Sequence, residues 1–207
     1  MPSQAEAADL PSPRRRVPRA ALALLALALA ALGLYLAIHR PFPSDKTPEG
    51  AYMRIARDLG KDQVKDAFPY LETEAQWASY TLRDARKKAL ERILGSYPEP
   101  ERTRLSHAYR PLAEAPDGSD AFALVARERG WDRRLRRDLS GVTSVEQSGE
   151  RASVVTARGT RYPFRRRDNG IWGLTLFTAD LVAETERATR DLALVEKAAD
   201  DYERAKK

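Results

Sequence analysis

Hydrophobic and polar positions divide this chain into regions with different periodicities. An uninterrupted apolar run extends from Ala20 to Ile38, and apolar residues recur at helical spacing over residues 48–139. Short alternating runs follow over residues 142–177, and helical spacing returns after Thr178. The pattern predicts an apolar helix, a helical region, a small β-sheet and a final long helix.

The apolar run carries no charge over residues 20–38 and, as a helix, is about as long as the 30 Å hydrocarbon core of a bilayer. A signal peptide has a shorter apolar core followed by a small-residue cleavage site, and a soluble helix keeps a polar face. Ala28-Leu29-Ala30 resembles such a cleavage site but lies inside the run. We therefore favour an uncleaved transmembrane helix over a cleaved signal or a core helix.

Positive charge is concentrated before this run, at Arg14, Arg15, Arg16 and Arg19. The positive-inside rule then places the N-terminus in the cytoplasm and the rest of the chain outside it. Residues 1–19 are predicted to be a disordered cytoplasmic tail, 20–38 a transmembrane helix, 39–47 a proline-containing extended linker and 48–207 an extracytoplasmic domain. The predominance of arginine and alanine suggests a bacterial source, and thus a single-pass protein of the inner membrane.

The domain opens with a helix that Thr47 caps, with Pro48 in its first turn and Gly60 at its end. A shorter amphipathic piece follows and stops at Pro69. A capping box at Thr73 and Gln76 begins a second long helix, whose apolar stripe is Ala78, Leu82, Ala85, Ala89 and Ile93. Residues 97–118 are predicted as helix and loop, and residues 120–139 as a helix that bends at Gly130.

Three turn signals, at Ser148-Gly149, Arg158-Gly159 and Asn169-Gly170, separate four predicted strands of an antiparallel meander. The alternation of apolar and polar residues places Tyr162 and Phe164 of the third strand on the core face. It also places Trp172, Leu174 and Leu176 of the last strand on one face, the core face. The arginines of the third strand fall on the opposite face. The fold class is thus α+β, with helices packed on a four-stranded meander.

The final helix, predicted over 178–207, repeats its apolar positions every four and three residues. The candidate dimer seam is Leu181, Leu192, Val195 and Tyr202. Small and polar residues interrupt it, so packing on its own domain is favoured over a homodimeric coiled coil.

Helices followed by a meander that ends in "YPFRRRDNGIWGLTLF" resemble the nuclear transport factor two-like, cone-shaped α+β family. The opening "TPEGAYMRIARDLGKDQVKDAFPYL" is similar to the first helices of that family, and together these segments cover about half of the chain. The resemblance implies a cone that binds a small molecule or a protein, in a family with both acid-base enzymes and inert modules.

Residues suited to catalysis are scarce. The chain has no cysteine and only two histidines, and no nucleophile elbow, phosphate-binding loop or dinucleotide motif occurs. His107 stands alone, and a cone enzyme would have to use Tyr80 or Asp84 as acid or base. The sequence predicts no cofactor and no metal site, and a binding module rather than an enzyme.

Arginines form two clusters that would make one positive face if they adjoined. Their candidate contact residues for an anion or partner are Arg129, Arg133, Arg134, Arg137, Arg161, Arg165 and Arg167. Anionic lipid, an envelope polymer or an acidic protein would suit such a face, whereas nucleic acid is not expected outside the cytoplasm. The competing interpretation is a solvated face whose arginines are balanced by acids. The chain has 36 basic and 30 acidic residues, of which 4 arginines and 2 acids precede residue 39, so the remainder has 32 basic and 28 acidic residues.

The sequence therefore leaves three functions open. The first is an anchored extracytoplasmic binding module, which predicts a filled cone and a contiguous arginine face. The second is a cone enzyme, which predicts a deep pocket with convergent polar groups. The third is a coiled-coil scaffold, which predicts that the seam is exposed in the monomer.

Overall fold

The computed structural model describes residues 26–32, 34–35 and 42–206, and the chain divides into two compact units at Phe42 and Pro43. In the first unit residues 26–32 and 34–35 are helical. The predicted tail and much of the predicted span at 20–38 lie outside the described residues. Within the described ranges no helix has the length and apolarity needed to cross a bilayer.

The second unit is an α+β domain with a single four-stranded sheet among its described residues. Its helices are α1 (Pro48–Gly60), a 3₁₀ helix (Val64–Tyr70), α2 (Thr73–Ser96), α3 (Glu101–Ala113), α4 (Gly118–Glu128), α5 (Trp131–Asp138) and α6 (Thr178–Ala205). Its strands, between α5 and α6, are β1 (Val142–Ser148), β2 (Arg151–Thr156), β3 (Arg161–Arg166) and β4 (Trp172–Leu174). The predicted order of helices, meander and long final helix is confirmed.

The four strands form an antiparallel meander in sequence order. All three predicted turns contain a glycine with positive φ, namely Gly149, Gly159 and Gly170, because tight hairpins need a left-handed residue. Tyr162 and Phe164 are buried on the core face, as predicted. Leu176 corrects the prediction: β4 ends at Leu174, so Leu176 lies beyond the strand and is 39% exposed.

Helix α2 is the centre of the packing, in contact with α3, α4 and α6. Its predicted apolar stripe is buried, with Leu82 and Ile93 fully inaccessible. The predicted capping box is wrong. Helix α2 begins at Thr73 after Glu72, and the Gln76 amide instead donates to the carbonyls of Phe68 and Leu71, 3.1 Å away in each case. Gln76 therefore ties α2 to the 3₁₀ helix.

Two prolines lie inside helices, Pro69 in the 3₁₀ helix and Pro111 in α3, and each removes one amide donor from its helix. The 3₁₀ helix continues one residue past the expected stop at Pro69, to Tyr70. The expected bend at Gly130 is confirmed: its φ of 67° breaks the segment into α4 and α5.

Helix α6 packs against α2 of the same chain, as the favoured interpretation predicted. The seam residues Leu181 and Val195 are buried, Leu192 is partly buried between two core clusters, and the Tyr202 ring lies 5.0 Å from the Tyr97 ring. The coiled-coil alternative lacks the exposed seam that it requires, because α2 already occupies this face.

The domain begins earlier than predicted, within the expected extended linker. The carbonyls of Asp45 and Lys46 accept hydrogen bonds from the backbone and indole N–H groups of Trp172, at 3.2 and 3.1 Å. A Cβ on Gly50 would stand 2.0 Å from the Ser44 carbonyl oxygen, so only glycine permits this approach. Residues from Pro43 onward therefore belong to the folded domain.

Candidate functional site

An open groove of about 410 Å³ lies on the surface of the domain. It lies where the start of α2 meets the end of the sheet that carries the β1–β2 and β3–β4 turns. Its lining consists of Glu72, Thr73, Glu74, Trp77, Glu150, Arg165, Arg166, Arg167 and Asp168. The groove combines one large aromatic ring with charges of both signs.

Trp77 is the most exposed large aromatic residue in the domain, at 67%. It lies on the side of α2 opposite the buried stripe, and its ring centroid is 6.3 Å from that of Tyr80. Tyr80 itself packs edge-on against Phe68 and covers Gly118, where a Cβ would meet the ring at 2.7 Å. The exposed Trp77 indole thus lies beside a Tyr80 ring that packs on Phe68 and Gly118.

Two of the three arginines in the groove already have partners. Arg165 lies 3.3 Å from Glu72, whose other oxygen accepts a hydrogen bond of 2.9 Å from the Thr178 hydroxyl. Arg167 donates to the Pro69 carbonyl at 2.6 Å and to the Gln76 side chain at 3.4 Å. Burial lowers the pKa of the Arg167 guanidinium. These arginines hold the meander to the start of α2.

Apart from Glu72 and Arg165, the charged residues of the groove have no ion-pair partner among residues 42–206. They are Glu74, Glu150 and Asp168 against Arg166 and Arg167, because the hydrogen-bond partners of Arg167 are neutral. Arg167 is partly buried, and the other four residues are exposed. Three carboxylates against two guanidinium groups leave the groove slightly acidic, although the whole chain carries a net charge of +6.

The other predicted arginines lie elsewhere and do not continue this surface. Arg129 pairs with Glu184 of α6, and Arg161 lies 2.5 Å from Glu146 at the opposite end of β3 from the groove. Arg133, Arg134 and Arg137 are exposed on α5. The Arg137 carbonyl accepts a hydrogen bond from Arg158, which places α5 beside the β2–β3 turn.

The expected single positive face is therefore divided. One part lies at the β2–β3 turn with α5, and the other lies at the groove, about 13 Å along β3 at the usual rise of a strand. Acids balance many of the arginines, as in the competing interpretation from sequence. Arg133 and Arg134 have no ion-pair partner in the described part of the domain.

The space between helices and sheet is almost filled. The enclosed cavity there amounts to about 10 Å³, which is room for a single water. Apolar side chains line it, together with Asp132, whose carboxylate is 2.9 Å from Arg136. Trp131 stacks on Phe177 at 4.5 Å and closes this region. This cavity is too small for a substrate.

Residues considered for catalysis do not converge. His107 is exposed on α3, and Asp84 is exposed and 2.8 Å from Arg83. A cone enzyme would need Asp84 in its interior, but Asp84 lies on the outer side of α2. Tyr80 supports Trp77 instead. Within the described residues, histidine and carboxylate side chains form no group that could hold a metal.

The fold and the groove define an α+β domain with an open, mixed-charge surface site. Comparisons of the chain with protein-family models, with curated proteins and with solved structures found no match.

Sequence reasoning placed Arg165 and Arg167 at the site but missed its aromatic and acidic residues. Trp77 was the available signal, because a tryptophan off the apolar stripe of an amphipathic helix has no core to enter. Glu150 and Asp168 belong to hairpin turns, and only the packing of the sheet on α2 brings these turns to the same groove.

Proposed function

We propose that the protein is a non-catalytic binding module, anchored in a membrane by residues 20–38, whose folded domain meets a partner protein through the Trp77 groove. The observation that carries the proposal is the exposure of Trp77 beside a preformed groove. Tryptophan and arginine are among the residues most enriched at the energetic centres of protein interfaces, and here an exposed indole and arginines line the same groove.

The filled interior supports binding over catalysis. A cone enzyme needs a pocket of several hundred cubic ångströms with converging acid and base groups, whereas the interior cavity here holds about 10 Å³. The large groove is open and has charges around an aromatic centre. That arrangement suits the docking of a protein surface better than the enclosure of a substrate.

The membrane anchor rests on the sequence. The apolar run at 20–38, with arginines before it, has the length and flanks of a single N-in span. The folded domain begins at Pro43, directly after the run. A domain on the extracytoplasmic side of a bacterial inner membrane would meet partners of the cell envelope.

Two experiments test the two halves of this function in bacterial cells that express the full chain. A reporter that is active only outside the cytoplasm, fused after Lys207, should be active and should stay with membranes after alkaline washing. An inactive fusion would refute the topology. An active reporter in the soluble fraction would show a cleaved signal instead of an anchor.

For the binding surface, a photo-crosslinking amino acid replaces Trp77 in one variant and Leu194 in the other. Leu194 is the matched control, because it is also 67% exposed but lies on α6. We expect a discrete crosslinked adduct from position 77 and none from position 194. Equal crosslinking at both positions, or none at position 77, would contradict a binding role for the groove.

A further inference from the structure

The charges of the groove indicate what kind of partner it takes. Sequence reasoning favoured an anionic partner because arginines dominate the neighbouring strands. In the structure Arg165 and Arg167 are already bound to Glu72, to Gln76 and to a backbone carbonyl. Among the groove charges without an ion-pair partner in the described domain, three carboxylates outnumber the two guanidinium groups of Arg166 and Arg167.

The aromatic residue lies among these carboxylates. Glu74 is one helical turn before Trp77 on α2, and Glu150 and Asp168 reach the same groove from the β1–β2 and β3–β4 turns. A cation over an indole face gains about 0.5–1 kcal/mol at an exposed site, and nearby carboxylates add ion pairs to it. The indole and the acids therefore favour the same ligand charge.

We propose, building on the proposed function, that the groove takes a basic segment of a partner protein, with a lysine or arginine side chain on the Trp77 indole and its neighbouring charges paired to Glu74, Glu150 and Asp168. The exposed aromatic surface continues from Trp77 to Tyr80, which is 39% exposed. This continuation beyond the groove fits a polypeptide rather than a small cation.

The net positive charge of the chain distinguishes binding at the groove from general charge attraction. At +6 overall, the protein repels basic peptides and attracts acidic ones at long range. Binding of a basic peptide must then come from a local acidic site, and the groove is such a site.

Intrinsic fluorescence reports on the groove directly. Trp131 and Trp172 are 9% and 2% exposed, so acrylamide quenching in the folded domain comes mainly from Trp77. The full chain in mild detergent is titrated with a tryptophan-free lysine- and arginine-rich peptide. Its matched counterpart carries glutamate at the basic positions. We expect the basic peptide to bind saturably and to protect Trp77 from acrylamide, and the acidic peptide to do neither.

Variants then test which residues are responsible. Neutralising the groove by Glu74→Gln, Glu150→Gln and Asp168→Asn should weaken binding about tenfold, the sum expected of three exposed ion pairs. The control is a triple variant with the same change in net charge at exposed acids outside the groove: Glu91→Gln, Glu128→Gln and Glu196→Gln. It should bind as the parent does. Circular dichroism confirms that both triple variants fold.

Each other outcome contradicts a specific statement. Saturable binding of the acidic peptide, or of vesicles with anionic lipid, that Arg166→Gln removes would leave a binding module but refute a basic partner. Equal weakening in both triple variants would show non-specific charge attraction. If neither peptide protects Trp77 and position 77 gives no crosslink in cells, the binding function itself fails.

Discussion

Trp172 offers the clearest test of how the domain is held together. It is 2% exposed, it faces the core from β4, and its indole N–H donates to the Lys46 carbonyl at 3.1 Å. A tryptophan buries up to about 250 Å² and, at about 25 cal/mol per Å², this sets an upper bound of about 6 kcal/mol. Truncations of this kind cost about 3–5 kcal/mol in practice. We expect Trp172→Ala to lower the free energy of unfolding by about 4 kcal/mol.

Trp77→Ala is the matched control, because the same side chain is removed from a position that is 67% exposed. Its expected effect is within about 0.5 kcal/mol. Trp172→Phe separates packing from the hydrogen bond and should lose about 1–2 kcal/mol. Urea unfolding of the full chain in detergent, followed by circular dichroism, gives all three values.

A loss below about 1 kcal/mol for Trp172→Ala would refute the burial of this residue, because domains are stable by only about 5–15 kcal/mol and a buried tryptophan is a large part of that. An equally large loss for Trp77→Ala would show that Trp77 belongs to the core. It would also remove the main support for the binding function.

Three further results are expected. Gly173→Ala should destabilise the domain by at least about 2 kcal/mol in urea melts, because its Cβ would stand 2.7 Å from the Glu72 Cα, and a wild-type melt would contradict that close approach. Asp117 caps α4, and hydrogen bonding, chiefly from Ser119, lowers its pKa from 3.8 to about 2. Asp117→Ala should therefore lower the free energy of unfolding by about 1 kcal/mol above pH 4. This difference in stability between parent and variant should shrink as the pH falls towards 2, because the Asp117 carboxylate of the parent becomes protonated and loses its contribution. A constant difference across that range would be inconsistent with the lowered pKa. Caesium should quench Trp77 better, and iodide worse, than each quenches a free tryptophan amide, because carboxylates outnumber guanidinium groups around the ring; the opposite deviations would contradict the acidic groove.

Local sequence signals predicted the elements because they depend on neighbouring residues alone. Thr47 caps α1 through its hydroxyl, 3.1 Å from the Gly50 amide, and the turn glycines adopt positive φ where the chain reverses. The errors fell where a distant segment competed. The Gln76 side chain left its expected capping role because backbone carbonyls of the 3₁₀ helix lay within reach.

Charge patterns in the sequence were less informative than apolar patterns. A run of arginines on β3 suggested a positive face, but partners distant in sequence decide whether each charge is free. Arg165 is paired with Glu72, which is 93 positions away, while Asp168 and Glu150 have no ion-pair partner within the described domain. Ion pairing between residues so far apart in sequence leaves no periodic signal in the chain. The arginines of β3 therefore suggested a positive surface, although the groove beside them is locally acidic.

The sequence by itself determined the order of the elements, the face that each buries and the position of the apolar run, because these follow from hydrophobic spacing and turn residues. Only the tertiary structure decided that the interior is filled, that α6 covers α2, and that Trp77 stands among free carboxylates. Those features depend on which side chains meet across the fold. The packing of the other elements on α2 determines these contacts, and the spacing of residues along the chain does not.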